Sequence, residues 1–240
     1  LAEFVIYVNM LMFPFFSIGM VAAMIQRAAA SQQRINEFLR IRPAIQDAPD
    51  AKPASLKGGV RLENVTFTYP HTGITAIRNF NLHIAPGQKV AVIGRTGAGK
   101  STLAQLLIRM YDPQEGKVMV DEQDIRYLRL SDLRGQISYV PQDMFLFSDT
   151  IANNIRFGDP AAGLEAVKTA ARQASVEKDI LGFNEGFDTA IGERGVTLSG
   201  GQKQRISIAR GLIKDPGILI FDDCLSAVDA RTEKEIIGNL

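Results

Sequence analysis

A glycine-rich run near the middle of the chain reads Gly94-Arg95-Thr96-Gly97-Ala98-Gly99-Lys100-Ser101-Thr102. It fits the phosphate-binding pattern in which two glycines, four residues apart, are followed by Lys and then Ser or Thr. Small residues let successive backbone N–H groups point into one anion-sized hollow. Lys100 adds a positive charge for the outer phosphates, and the Ser101 hydroxyl can ligate Mg²⁺. The run therefore predicts a site for a nucleoside triphosphate.

The flanks of this loop support the same interpretation. Lys89–Ile93 is predicted to be a buried strand, and Thr102–Arg109 opens a helix whose positive end faces the phosphates. Farther along, Gly217–Phe221 is a second apolar strand, and it ends in Asp222 and Asp223. In a P-loop NTPase an acid at this place helps to hold Mg²⁺, and the next residue is positioned for water. Asp222 is therefore the predicted metal ligand and Asp223 the predicted catalytic residue.

The rest of the second half alternates between strand and helix patterns. Between Thr150 and Gly211 most segments are typical of helices, including 164–174. Alternation with an inserted helical block predicts an α/β fold with a parallel sheet. The remaining predicted strands are 60–69, 80–84, 117–120 and 136–140.

Composition excludes several classes of protein. Of the 240 residues, 46% are apolar and 22% are charged, which is typical of a globular protein with a sizeable core. The net charge of +1 and the lack of a dense basic run indicate no nucleic-acid partner. The single cysteine excludes a disulfide framework and fits a reducing compartment. We interpret Cys224 as a small buried residue rather than a reactive thiol.

The N-terminus has the pattern of a membrane helix. Phe4–Ile25 carries no charge, and about 22 residues at about 1.5 Å each cover roughly 33 Å, enough to cross a bilayer. Transmembrane helices tolerate a proline such as Pro14. Arg27 and Arg34 follow, so the positive-inside rule puts the C-terminal side in the cytoplasm. The alternative is a buried helix of a soluble protein. One helix alone is a poor transport path, so we expect this chain to begin partway through a larger protein.

Beyond this run the helix is expected to continue as an amphipathic segment over Gln26–Arg40, with Pro43 ending it. Residues 42–57 contain three prolines and are typical of a linker. A soluble domain is expected to begin near Gly58.

A third motif, Leu198-Ser199-Gly200-Gly201-Gln202, precedes another helical pattern. Ser199 is a good N-cap, and the glycines expose N–H groups at the start of the helix. This is either a second anion site or a capped helix without a ligand.

Together with Lys203-Gln204-Arg205, this motif resembles the signature of ABC transporter ATPase domains. The resemblance runs from about Val60 to the end, and the N-terminal helix resembles the last membrane helix of ABC exporters. It implies a P-loop NTPase (RecA-like) core with an antiparallel β subdomain and an inserted α-helical subdomain at about 143–205, preceded by a transmembrane helix. The implied domains are the last transmembrane helix with its cytoplasmic extension (1–41), the linker (42–57) and a C-terminally incomplete nucleotide-binding domain (58–240).

The resemblance also assigns roles to single residues. Tyr69 matches the aromatic residue that stacks on adenine, although a half-buried strand aromatic would look the same. Gln142 matches the glutamine that contacts Mg²⁺ and the attacking water. Met144–Phe147 resembles the surface that receives the coupling helices of the membrane domain, and it could equally be core. Gly192–Gly195 resembles the exporter-specific loop, and Ser226–Asp229 matches the D-loop.

The family implies a head-to-tail dimer in which Ser199, Gly200, Gly201 and Gln202 of one subunit complete the ATP site of the other. One departure is that the family pattern has Glu where this chain has Asp223. The carboxylate is therefore withdrawn by about 1.5 Å, and a misplacement of about 1 Å costs on the order of 10²-fold in rate. We therefore expect slow hydrolysis at this chain's own site and favour a heterodimer, with a fully active homodimer as the alternative.

A second departure is that the switch histidine of the family is expected beyond Leu240. His71 and His83 precede the P-loop, and we expect neither to be catalytic.

The expected activity is export driven by MgATP, at the cell (inner) membrane with the ATPase domain on the cytoplasmic side. The partners would be a second subunit, the chain's own membrane domain, the bilayer and a transported substrate that this sequence does not specify. Two other classes remain open. A soluble ABC ATPase of the DNA-maintenance kind is disfavoured by the uncharged helix, and a regulatory nucleotide sensor that never turns over is compatible with Asp223.

Overall fold

Two compact units make up the chain, Leu1–Ala44 and Ile45–Leu240. The computed structural model describes residues 2–192 and 197–240.

The first unit is one long helix, α1 (Ala2–Leu39), with Pro14 inside it. Its apolar side chains are exposed on every face; Phe13, for example, is 76% exposed. An 18-residue window of this helix has a mean hydropathy of 1.9. Within residues 2–192 and 197–240, it is the one helix long and apolar enough to cross a membrane. The predicted continuation past Gln26 is confirmed, with the helix ending at Leu39.

An antiparallel sheet of four strands opens the second unit. Strand β1 is central, pairing with β2 on one side and β3 on the other, and β4 pairs with β3. Leu62 of β1 faces Leu82 of β2 and Val118 of β3, so apolar side chains lie in register across the sheet. The predicted strands in this part of the chain are confirmed. The bounds are β1 (Val60–Thr68), β2 (Thr75–Ile84), β3 (Glu115–Val120) and β4 (Gln123–Asp124).

Seven helices accompany the strands in the described part of the second unit, and the predicted helical block between Thr150 and Gly211 is confirmed. Short 3₁₀ turns lie at Ile125–Tyr127 and Gly186–Asp188. The helices are α2 (Lys100–Leu107), α3 (Leu130–Gln136), α4 (Ile151–Arg156), α5 (Leu164–Gln173), α6 (Glu177–Leu181), α7 (Gly200–Leu212) and α8 (Ala230–Gly238).

A parallel pair of strands, β5 (Ile137–Val140) and β6 (Ile218–Phe221), separates two hydrophobic cores. Because side chains alternate along a strand, Ile218 and Ile220 pack with the core of the antiparallel sheet and α2. Leu219 and Phe221 pack with the core of α4 to α7. The residue after β6, Asp222, therefore continues the face that carries Ile220.

The strand predicted at Lys89–Ile93 is wrong. In the part of the chain that the structure describes, this segment belongs to no sheet, and Val90 and Val92 are 44% and 49% exposed. Its β-branched pattern favours an extended backbone, but a strand also needs a neighbour to accept and donate its hydrogen bonds. Here Val90 and Val92 instead line a cavity of about 1140 Å³ together with residues of β6. The parallel sheet is thus smaller than expected, and the mixed α/β class with its antiparallel and helical parts is confirmed.

Residues 47–52, at the start of the second unit, are hydrogen-bonded to the rest of that unit. The Lys52 backbone N–H donates to the Tyr127 carbonyl at 2.8 Å, and the Leu130 backbone N–H donates to Asp47 Oδ1 at 2.7 Å. These bonds fit a division at Ala44. The boundaries 1–41, 42–57 and 58–240 stay a prediction.

Candidate functional site

The glycine-rich loop turns sharply into α2. Gly97 and Gly99 have φ of 80° and 87°, in the left-handed region that favours glycine. Gly99 is the N-cap of α2, and no side chain caps its first turn. A Cβ on Gly99 would lie 2.6 Å from the Ala76 carbonyl oxygen of β2. The loop is therefore pressed against the antiparallel sheet, and the N-terminal end of α2 is free of side-chain caps.

Lys100 is folded back over this loop. Its Nζ donates to the Gly94 carbonyl at 2.9 Å and to the Arg95 carbonyl at 3.1 Å. The ammonium group is thus held at the start of α2, where the helix dipole and the N–H groups also favour an anion. Thr96, Gly97 and the first turn of α2 line the same cavity, and phosphate binding by this loop stays a prediction.

Ser101 and Asp222 meet across 121 positions of sequence. Ser101 Oγ donates to Asp222 Oδ1 at 2.9 Å, so its oxygen lone pairs remain free for a cation. Asp222 is fixed from behind because its backbone N–H donates to the Val140 carbonyl at 3.0 Å. A hydroxyl and a carboxylate oxygen are the hard ligands that Mg²⁺ prefers. These two side chains therefore fit Mg²⁺; the described residues contain no group of three His, Cys, Asp or Glu residues that could hold a metal ion.

Tyr139 also contacts Asp222, and the sequence reasoning missed it. Its Oη donates to Asp222 Oδ2 at 2.9 Å. Burial, and next the hydrogen bond to Asp222, raise the pKa of the Tyr139 phenol, so the phenol keeps its proton and acts as the donor. The available signal was the position of Tyr139 in the strand before Pro141, but the pairing of β5 with β6 was needed to use it.

Asp223 contacts the other predicted catalytic residue. Gln142 Nε2 donates to Asp223 Oδ2 at 3.2 Å, and both residues line the cavity of the loop. Asp223 has φ of 53°, a left-handed conformation that Asp tolerates better than most residues. Next to it Cys224 is fully buried, and burial raises the pKa of its thiol to about 12. The interpretation of Cys224 as a small buried residue is confirmed.

Tyr69 lies beside the first turn of α2. Its Oη is 2.9 Å from Thr102 Oγ1 and donates to Gln105 Oε1 at 3.1 Å. Its ring packs edge-on against Phe67 and Tyr111, with centroids 4.9 and 5.6 Å away. Tyr69 therefore shares the cavity with the P-loop, and its stacking on adenine stays a prediction.

The signature motif forms the N-terminus of α7, where Ser199 and Gln202 bond each other's backbone N–H groups. The Gln202 backbone N–H donates to Ser199 Oγ at 3.2 Å, and the Ser199 backbone N–H donates to Gln202 Oε1 at 3.0 Å. This capping box satisfies the backbone N–H groups of Ser199 and Gln202 and does not use those of Gly200 and Gly201. Gly201 lies against the D-loop, because a Cβ added to Gly201 would be 3.0 Å from the Ala227 carbonyl oxygen. Within the described ranges, residues 199–202 are not among those lining the cavity of Lys100 and Asp222.

A buried glutamine joins the signature helix to the D-loop. Gln204 is 2% exposed; its Oε1 accepts from the Ala227 backbone N–H at 2.9 Å, and its Nε2 donates to Ser226 Oγ at 3.3 Å. Ser226 Oγ in turn donates to the Asp223 carbonyl at 3.0 Å. This chain of hydrogen bonds, which the sequence analysis also missed, connects α7 with the residue after Asp222.

The residues predicted to meet the membrane domain form an exposed aromatic patch. Phe145 is 66% exposed, and its ring packs edge-on against Phe147, with centroids 5.0 Å apart. The Arg210 guanidinium lies over the rings of Phe147 and Phe157 at 5.5 and 5.6 Å. The alternative that 144–147 is all core is wrong for Phe145. Of the predicted exporter loop, Glu193–Gly195 lies outside the described residues.

Comparisons with known proteins agree with this geometry. The profile of the ABC transporter family matches residues 77–226. The chain is 42% identical over 240 residues to the multidrug resistance-like ATP-binding protein MdlA of Escherichia coli K12, covering 100% of this chain and 40% of that protein. It is 43% identical over 242 residues to the probable multidrug resistance ABC transporter ATP-binding/permease protein YheI of Bacillus subtilis 168, covering 100% and 41%.

Among solved structures, a bacterial Atm1-family ABC exporter with ATP bound is similar, with a TM-score of 0.87 and 38% identity. That match covers 92% of this chain and 39% of the exporter chain. The chain thus spans about two fifths of the length of these relatives.

Proposed function

This chain belongs to the ABC transporter family, and on that premise we propose that it is the ATP-hydrolysing part of an exporter subunit. MgATP binding and hydrolysis in the second unit would drive transport through a membrane domain to which α1 belongs. The observation that carries the proposal is the Ser101–Asp222 hydrogen bond of 2.9 Å beside Lys100 at the uncapped start of α2. This hydrogen bond places the phosphate-binding loop and the Asp222 carboxylate side by side in the wall of the same cavity.

Each residue of the site has a defined task in this proposal. The N–H groups of the loop and of α2 bind the phosphates, and Lys100 exchanges its carbonyl partners for phosphate oxygens. Ser101, Asp222 and Gln142 would hold Mg²⁺, which when bound neutralises charge on the outer phosphates. Asp223, held by Gln142, would orient the attacking water and accept its proton. Tyr69 would stack on adenine.

The test is equilibrium binding of ATP to the intact protein purified in detergent, with Mg²⁺ and with EDTA. We expect magnesium-dependent affinity that is lost in Lys100→Ala, because the ammonium is the charge nearest the outer phosphates. A protein without such affinity, or a Lys100→Ala variant with unchanged affinity, would contradict the proposal.

We further propose that the signature of this chain serves a second subunit. Among the described residues, 199–202 do not line the cavity of Lys100, and the N–H groups of Gly200 and Gly201 take no part in the capping box; both points support a ligand supplied by the partner. Asp223 in place of Glu favours a heterodimer in which the partner site turns over faster. A fully active homodimer is the second candidate, favoured by the intact signature and P-loop in one chain. A regulatory sensor would bind ATP without turnover, alone or with any partner.

The proposed location is the cell (inner) membrane, with the second unit in the cytoplasm. Arg27 and Arg34 on the C-terminal side of the uncharged run support this orientation. The aromatic patch of Phe145, Phe147 and Phe157 would receive the coupling helices of the membrane domain. Recovery of the intact protein in the membrane fraction would separate an exporter from a soluble ABC ATPase.

A further inference from the structure

The carboxylate of Asp222 is bonded at both oxygens. Ser101 Oγ donates to Oδ1 at 2.9 Å, and Tyr139 Oη donates to Oδ2 at 2.9 Å. Ser101 belongs to the phosphate-loop motif, whereas Tyr139 belongs to β5, the strand that pairs with β6. The two donors approach the carboxylate from different elements, α2 and β5.

The strand register explains why Tyr139 reaches this carboxylate. Tyr139 is paired with Ile220 in the β5–β6 ladder, and Asp222 is two residues farther along the same face. Two residues along one face of a strand span about 6.6 Å, and the long Tyr139 side chain reaches across this offset, as its 2.9 Å hydrogen bond to Asp222 shows. The bond from the Asp222 backbone N–H to the Val140 carbonyl carries the pairing past the end of β6 and fixes the backbone. The side-chain torsions χ1 and χ2, and with them the orientation of the carboxylate, are then the remaining freedom at Asp222.

We propose that Tyr139 is a positioning residue for the magnesium site, because its phenol fixes the rotation of the Asp222 carboxylate. With Oδ2 held by Tyr139, Oδ1 faces Ser101 and the cation that the two residues would share. Terminal carboxylate torsions are broad, so a single hydrogen bond from Ser101 leaves the group free to turn. The inference rests on the proposed function, in which Ser101 and Asp222 hold Mg²⁺.

Tyr139→Phe isolates this role, because it removes one hydroxyl and keeps the ring in its half-buried place. A matched control is Tyr127→Phe. Tyr127 is also a tyrosine of the second unit, and it is 53% exposed, outside the site.

The experiment uses the intact protein and a fluorescent ATP analogue. Analogue affinity is measured in EDTA, and Mg²⁺ is then titrated at saturating nucleotide. For Tyr139→Phe we expect unchanged affinity in EDTA and a Mg²⁺ half-saturation about 10-fold higher, equivalent to about 1.4 kcal/mol for one bond to a charged group. Tyr127→Phe keeps both values. In an Asp222→Asn background, adding Tyr139→Phe changes the Mg²⁺ half-saturation by less than about 2-fold, since its partner is already altered.

Three outcomes overturn the inference, and they have different meanings. A Tyr139→Phe variant with wild-type Mg²⁺ dependence shows that the phenol does not position Asp222. A variant that loses analogue affinity equally in EDTA shows that Tyr139 acts by packing. A wild-type protein that binds the analogue without any Mg²⁺ dependence removes the proposed magnesium site itself, and the inference with it.

Discussion

Helices α2 and α7 both begin with glycine-rich runs, yet their first turns are completed in different ways. α2 starts after Gly99, and no side chain caps it. α7 starts after Ser199, and a capping box with Gln202 bonds the Ser199 and Gln202 backbone N–H groups. The first arrangement leaves backbone donors for a ligand of this chain. The second fixes the N-cap without a ligand, and the Gly200 and Gly201 N–H groups, which the box does not use, can face a ligand held elsewhere.

The two helix starts also differ in what lies behind them. α2 is joined through Ser101 to Asp222, the carboxylate of its own site. α7 is joined through Gln204 to Ser226 and Ala227 of the D-loop. The difference supports the proposal that α2 binds a nucleotide of this chain and that α7 serves a second subunit.

The largest expected effect comes from blocking the α2 loop with Gly99→Ala. The new Cβ would lie 2.6 Å from the Ala76 carbonyl oxygen, at a φ of 87°, so the loop must move away from the sheet. A shift of about 1 Å is expected to lower ATP turnover on the order of 100-fold, measured by phosphate release.

The matched control is Gly186→Ala, at a φ of 53° with open space around the new Cβ. It carries the left-handed backbone cost of about 1–2 kcal/mol without the clash, so turnover should persist while the melting temperature falls. Equal loss of turnover in both variants would contradict the role of the loop.

The second effect concerns the chemistry beside α2. Replacing Asp223 with Glu advances the carboxylate by about 1.5 Å, and we expect turnover at this site to rise by as much as about 10²-fold. Asp223→Asn should give no rise, because it lacks the carboxylate. Single-turnover hydrolysis measured site by site distinguishes the two, and an unchanged rate in Asp223→Glu counts against the degenerate-site proposal.

A smaller effect is expected from removing the cap of α7. Ser199→Ala should cost about 1 kcal/mol of stability and reduce turnover at the site that this signature completes. Thr150→Ala removes a comparable N-cap from α4, where Thr150 Oγ1 accepts from the Asn153 backbone N–H at 3.1 Å. The two variants should melt alike by calorimetry, while turnover falls in Ser199→Ala alone. If turnover fell equally in Thr150→Ala, the α7 cap would act through protein stability alone.

At neutral pH the smallest effect is expected at Cys224, the residue after Asp223. Burial raises the pKa of its thiol from 9.0 to about 12, so the folded protein keeps a proton that the unfolded chain loses. This contribution to stability is present below pH 9 and is lost as pH rises towards 12. Urea unfolding of Cys224→Ala should therefore show a shallower decline above pH 9. Identical pH profiles in the two proteins would exclude this linkage.

The glycine-rich starts of α2 and α7 and the strand before Asp222 were predictable from the sequence, because they depend on local chemistry. The glycines at 97 and 99, the Ser199 cap and the apolar run before Asp222 each act within a few residues. The bonds from Tyr139 and Gln204 were missed because they depend on pairing β5 with β6 and on packing α7 against the D-loop. Lys89–Ile93 was predicted wrongly because its pattern specifies an extended backbone but not the partner that makes it a strand.

The most direct test labels this chain itself with a photoreactive ATP analogue in the assembled transporter. Lys100→Ala should abolish labelling of this chain, whereas Ser199→Ala should keep it and instead slow turnover at the partner's site. If Ser199→Ala abolished labelling as fully as Lys100→Ala, the two helix starts would serve the same nucleotide, and the division between them would be wrong.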